Sequence, residues 1–123
     1  MKFSEEFGTA SYRIRGYEPG RITVNQEVLE TNVVVTLDTL VRDWPALSVE
    51  QLTPQDLAVL TEFEPEVILL GTGERQTFPD LGLLRDVIKQ GIGVEVMDTA
   101  AACRTFNILM AEGRRVAAGL LVR

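Results

Sequence analysis

The sequence predicts an α/β protein in which one sheet is enclosed between helices, and three observations predict it. An opening stretch of alternating β-forming residues gives way at Thr53 to helical spacing. The run Val67-Ile68-Leu69-Leu70 carries no residue suited to water, as expected of a strand covered on both faces. From Thr53 onward the patterns then alternate helix–strand–helix–strand–helix–strand, the order of a sheet with right-handed crossovers between parallel strands. The 123 residues fit one domain, 1–123, with no repeat, low-complexity tract or linker to divide them.

Each element has its own signal. Tyr12, Ile14, Ile22 and Val24 alternate with Arg13, Arg15, Arg21 and Thr23, the period of half-buried strands. Glu18-Pro19-Gly20 punctuates the first pair, and Asn25-Gln26 turns the second, although glutamine suits a positive φ poorly. Residues 33–37 form the strongest β-branched run, and Trp44-Pro45 ends an extended segment. Thr53-Pro54-Gln55-Asp56 combines a hydroxyl cap, a proline in the first turn and an acid three residues after the cap, so a helix starts there. Gly71-Thr72-Gly73 ends the apolar run that follows. Asp80 caps a second helix whose Leu81, Leu84, Val87 and Ile88 share one face, and Gly91 stops it. Residues 92–97 are the next strand. Thr99 caps a third helix, about 100–111, on which Leu109, Ala102, Phe106, Met110 and Cys103 form one apolar arc. Ile108 and Ala101 fall opposite that arc and predict a second covered surface, either within the fold or across a subunit contact. Residues 116–122 read as the last strand.

The composition excludes several kinds of chemistry. The chain has no histidine and one cysteine, which removes His-dependent triads, His metal sites, disulfides within the chain and Cys clusters. No metal and no cofactor is expected. The net charge of -6 weighs against a nucleic-acid partner, which needs a cationic face. The start, Met1 to Phe7, has early acids and no apolar core, so no secretory signal is expected; the longest apolar stretch, 116–122, is too short to span a bilayer. The expectation is a cytoplasmic protein of bacterial type, kept in a reducing compartment, with no direct insertion into a membrane.

Two constellations are candidates for a site. Gly71, Thr72, Gly73 and Arg75 lie at the carboxyl end of a central strand, where open α/β sheets bind ligands. The third glycine of a dinucleotide fingerprint is missing, with Gln76 in its place, and no Gly-Lys-Ser/Thr follows. Asp98, Thr99, Cys103, Arg104 and Asn107 cluster at the start of the third helix, with Cys103 and Asn107 one turn apart. A thiol near a helix N-terminus beside an arginine can be activated, but Cys103 sits in the apolar arc and no histidine offers a base. Glu112, Arg114 and Arg115 offer a charged face, a helix-end pair or part of a partner site, with solvated charge the plainest reading, and Glu95 is odd between Val94 and Val96 unless it faces a cleft or a sheet edge.

Together these motifs carry a resemblance. Ile68-Leu69-Leu70-Gly71-Thr72-Gly73, the stretch 91–99 with its Met97-Asp98-Thr99, Cys103-Arg104-Thr105-Phe106-Asn107 and Glu112-Gly113-Arg114-Arg115 resemble a widespread family of small α/β proteins. Its eukaryotic relatives include mitochondrial complex I assembly factor 3 and an adipogenesis-associated protein. The match is close over 64–122 and looser over 10–63, through Ile22, Val24, Val35, Trp44 and Thr53. Phe106 stands where the family often has tyrosine, and Gln26 where a turn glycine is usual. The resemblance implies a three-layer fold (β plus α/β/α) with a mixed central sheet, one strand antiparallel to the rest, and an extra β layer from the N-terminal half. It carries over no particular catalytic activity to this chain. It implies a partner-binding protein similar to respiratory-complex assembly factors, its partner part of a membrane-associated complex. The competing expectation is a small-ligand or anion-binding protein, or an enzyme, whose site joins the 71–76 loop to the start of the Thr99 helix.

Overall fold

The computed structural model describes residues 12–123, so the start that argued against a signal lies outside the described residues. Eight strands and three helices follow one another among the described residues: β1 (Ile14–Glu18), β2 (Arg21–Val24), β3 (Glu27–Leu29), β4 (Val33–Val35), β5 (Leu40–Val41), α1 (Pro54–Thr61), β6 (Val67–Thr72), α2 (Leu81–Ile88), β7 (Gly93–Met97), α3 (Thr99–Ala111) and β8 (Val116–Leu121). β1, β2 and β3 form a small antiparallel sheet, and the other five make a central sheet in the order β5-β4-β8-β6-β7. β6 pairs in parallel with both β7 and β8, whereas β4 runs antiparallel to β5 and to β8. One strand therefore opposes the rest, as the resemblance implies.

Local chemistry explains most boundaries. Gly20 takes a φ of 91° in the first hairpin turn, and Asn25 supplies the positive φ of the second, 54°, so Gln26 never has to. Thr53 and Asp56 form a reciprocal capping box: the Asp56 N–H donates to Thr53 Oγ1 and the Thr53 N–H to Asp56 Oδ2, each at 3.1 Å. Asp80 accepts from the Gly82 N–H at 3.0 Å and starts α2. The β-branched run at 33–37 stops early, at Val35. There the Thr36 N–H donates to Thr39 O at 2.9 Å and the Thr39 N–H to Thr36 Oγ1 at 3.1 Å, closing a turn that leaves Leu37 exposed.

One helical expectation is corrected. The cap of α3 is Asp98, which accepts from the Ala101 N–H at 2.8 Å, and Thr99 is the first helical residue. A carboxylate one residue earlier reaches the helix N–H groups, and the Thr99 hydroxyl is drawn into the sheet instead. On α2 the four apolar residues do not all pack: Leu84 and Val87 are buried, while Leu81 and Ile88 are 66% and 55% exposed. The helix touches the sheet over a narrower stripe than its pattern allows. The second covered surface expected on α3 is not made among the described residues, where Ile108 is exposed.

The central sheet separates two cores, and alternation along each strand sorts side chains between them. Val33 and Val35 of β4, Leu69 of β6, and Val116, Ala118 and Leu120 of β8 face α3 and the small sheet, where Ile22, Val24 and Phe106 are buried. Val34, Ile68, Leu70, Ala117 and Leu121 face α1, α2 and the segment carrying Trp44, Val49 and Leu52. Val67 to Leu70 thus lie in an inner strand covered on both faces. Each fully buried aliphatic side chain contributes about 1.5–3 kcal/mol. β7 lies at the sheet's edge, which accounts for Glu95: it is exposed on a strand with one free side.

Candidate functional site

The parallel neighbours β6 and β7 bring their carboxyl ends together, so the 71–76 loop does meet the start of α3. What they build is a lock. Thr99 is completely buried, and its hydroxyl accepts from the Gly73 N–H at 2.7 Å and donates to Leu121 O at 2.6 Å, while the Thr99 N–H donates to Gly73 O at 2.8 Å. One side chain thereby ties β6, α3 and β8. The glycines serve this closeness: a Cβ on Gly71 would stand 2.9 Å from Thr99 Oγ1, and one on Gly73, whose φ is 94°, would stand 2.4 Å from Arg123 O. Thr72, also buried, accepts from the Thr77 N–H at 3.1 Å and turns its hydroxyl toward the carbonyls of Arg75 and of Met97, the latter at 3.2 Å.

These bonds engage several of the donors an anion would use. The N–H groups of Gly73, Thr99 and Ala101 all have partners inside the lock, and Ala102 N–H donates to Asp98 O at 2.9 Å. Arg75 and Arg104 do not converge either. Arg75 opens on a shallow cleft with Glu50, Glu74 and Arg123, whereas Arg104 lines a groove between α3 and β1. Among the described residues no group of His, Cys, Asp or Glu side chains is placed to hold a metal ion.

Cys103 forms part of that second groove, yet it is buried. Burial pushes its thiol up to about 12, against a smaller opposing pull from Arg104 and a push from Asp98. A thiol so protonated is a poor nucleophile. Asn107, one turn on, is engaged with the backbone of β1: its Nδ2 donates to Ile14 O at 2.8 Å and its Oδ1 accepts from the Ile14 N–H at 3.0 Å. Both halves of the amide fasten the small sheet to α3. Tyr17 donates its phenol proton to Val122 O at 3.1 Å, and burial, then Glu74, Cys103 and Asp98, raise its pKa.

Sequence reasoning missed three contributors. Asn32 accepts from the Val122 N–H at 2.8 Å and donates to Ala46 O at 2.8 Å, joining β8 to the Trp44 segment. Glu66 accepts from Arg114 Nε at 2.9 Å and from the Arg115 N–H at 3.0 Å, contacts that hold its carboxyl below the usual range, the backbone bond first. Arg114 is therefore tied to Glu66 and not to Glu112. The third is Gly16 beside Arg15, at a bulge in β1, where a Cβ would meet nothing within 4 Å. A glycine inside a strand pattern, directly after Arg13-Ile14-Arg15, was the available signal.

Comparison with known proteins gives this arrangement relatives. A family model described as a protein of unknown function (DUF498/DUF598) matches residues 14–121. The zebrafish (Danio rerio) NADH dehydrogenase [ubiquinone] 1 alpha subcomplex assembly factor 3 is 34% identical over 123 residues, covering 98% of this chain and 68% of that protein. A 13 kDa major membrane protein of Francisella tularensis is 27% identical over 117 residues, covering 94% of this chain and 95% of that one. The solution structure of a Xanthomonas campestris protein is 40% identical with a TM-score of 0.86, covering 99% of this chain and 92% of that one. No helix among the described residues is long and apolar enough to cross a membrane.

Proposed function

The chain belongs to the family described as protein of unknown function (DUF498/DUF598), and we propose that it acts there as a non-catalytic partner-binding protein that helps a membrane-associated respiratory complex assemble. The observation that carries this reading is the kinship with an NADH dehydrogenase assembly factor, which runs along almost the whole chain and not through one motif. The candidate site supports it from the other side. Thr72, Thr99, Asp98 and Asn107 are spent on internal bonds and the Cys103 thiol is held protonated, so most of the residues a reaction would draw on are occupied in building the fold. In this reading the protein works from the cytoplasm, on the surface of its partner.

The test is affinity purification of the tagged chain from its native host after mild cross-linking, with the partners identified by mass spectrometry. Subunits of a membrane-associated respiratory complex are expected to be enriched, and deletion of the gene is expected to lower the assembled complex on native gels. A normal level of assembled complex in the deletion strain, with no such subunit captured, refutes the proposal.

A further inference from the structure

The groove between β1 and the N-terminal half of α3 is lined by Ile14, Arg15, Gly16, Cys103 and Arg104 among others, and encloses about 180 Å³. A second cleft, of about 370 Å³, adjoins it on the other side of Asn107, shares Arg15 and adds Arg13. Arg13, Arg15 and Arg104 are all exposed. Among the described residues the ion pairs are Arg42 with Glu27 and Arg114 with Glu66, so none of these three guanidiniums has a carboxylate partner there. Among the described residues no carboxylate lines either cleft. This stands against the composition, since the chain carries 18 acids and 12 bases. An acidic partner is repelled by the molecule as a whole and attracted to this one face, which selects an orientation as well as a partner.

We propose that this groove grips an acidic segment of the partner protein, one with apolar residues among its carboxylates. The proposal rests on the partner-binding reading above. The floor supplies the apolar half: Ile14 is buried, and the Cys103 thiol beside it is neutral. The rim supplies the cations. β1 is irregular between Ile14 and Gly16, and the extra residue of such a bulge re-aims its side chain. Gly16 meets no steric demand for glycine, because its φ is not positive and a Cβ there would have open space. Its effect is to leave the groove unfilled. Glu74 acts at the Tyr17 end and Asp98 there and on Cys103, with Asp98 already bound to the Ala101 N–H, so the incoming carboxylates belong toward Arg15 and Arg104.

The probe is a fluorescein-labelled dodecapeptide alternating glutamate and leucine, titrated with the native chain and followed by fluorescence polarisation. Saturable binding is expected, weakened about fivefold by Arg15→Ala and by Arg104→Ala, and more by the pair, given the modest strength of exposed charge contacts. Gly16→Leu, which fills the groove without removing charge, is expected to weaken binding as well. Thermal unfolding checks that each variant is folded. The proposal is overturned if the glutamate–leucine peptide does not bind, if a lysine–leucine peptide binds equally, or if both arginine variants bind like the native chain. Inorganic phosphate that displaces the peptide at equal concentration also overturns it, by making the groove a site for free anions. Repeating the purification with the Arg15→Ala, Arg104→Ala protein separates the two readings. A partner captured equally by native and variant chains sinks the groove alone, whereas failure to capture any complex subunit counts against the assembly role while the titration still decides the groove.

Discussion

Replacing Thr99 by valine tests the lock at the junction of β6, α3 and β8. Valine has nearly the shape of threonine and keeps the methyl group, so the buried cavity is preserved and the hydroxyl alone is lost. Two backbone groups are then orphaned, the Gly73 N–H and the Leu121 C=O, each at a site closed to water. An unsatisfied buried group costs about 1–3 kcal/mol, so the variant is expected to lose on the order of 3 kcal/mol, or a fall of roughly 10 °C in Tm for a domain of this size. Thr99→Ser keeps the hydroxyl and gives up one methyl group, a loss of about 1 kcal/mol. Urea unfolding gives both values, and amide exchange at Gly73 reports the broken bond directly. The reasoning is refuted if Thr99→Val is as stable as the native chain, or if serine is as damaging as valine.

Further outcomes follow from the same structure. Cys103 should react slowly with a thiol reagent in the native state and quickly in urea, and Cys103→Ser should destabilise by placing a hydroxyl against apolar neighbours; fast native labelling would contradict the burial. Its folded pKa, raised to about 12 from an ordinary 9.0, means that the unfolded chain loses this proton first. The contribution is present below pH 9.0 and lost as pH rises toward 12, so the alkaline loss of stability should be shallower in Cys103→Val; identical alkaline limbs would count against it. Glu66 has the opposite sign: its carboxyl lies below the usual range, so its contribution is present above the ordinary 4.5 and lost as pH falls. Glu66→Gln should flatten that acid limb, which a pH series of urea melts would reveal. Gly119→Ala should place a Cβ 2.8 Å from Trp44 Cη2, cost about 1–3 kcal/mol by overpacking, and shift the emission of the sole tryptophan. An unchanged spectrum and stability would show that the indole gives way freely.

Much of the fold is legible in the sequence because it depends on local rules. The alternation around Ile14 and Val24, the capping box at Thr53 and the apolar run before Gly71 each act through near neighbours, and each is found where its pattern stands. The site is less legible because its bonds cross the chain. Nothing near Asn107 says that its amide meets Ile14, 93 residues away, and nothing near Glu66 points to Arg114, 48 residues on. Thr99 shows the same limit at short range. Beside Asp98 it has the chemistry of a cap, and only the approach of β6 and β8 decides that its hydroxyl serves the sheet. The exposed Leu81 and Ile88 repeat the point, since a helical pattern states which side chains share a face and not how wide a surface awaits them.

β8 follows every other described element in the chain, yet it sits in the middle of the central sheet, between β4 and β6. During synthesis both neighbours leave the ribosome with one edge open, and the strand that fills the gap comes last. The Asn32 bond to Val122 closes a span of 90 residues. Loop closure over such distances is an entropic cost met before any contact repays it, which slows folding relative to helical proteins of the same length. Until β8 docks, β4 and β6 present unpaired backbone and bare aliphatic faces, the condition in which chains aggregate or meet chaperones. The period of greatest exposure is thus set by strand order, and it ends when six residues, Val116–Leu121, slot into place.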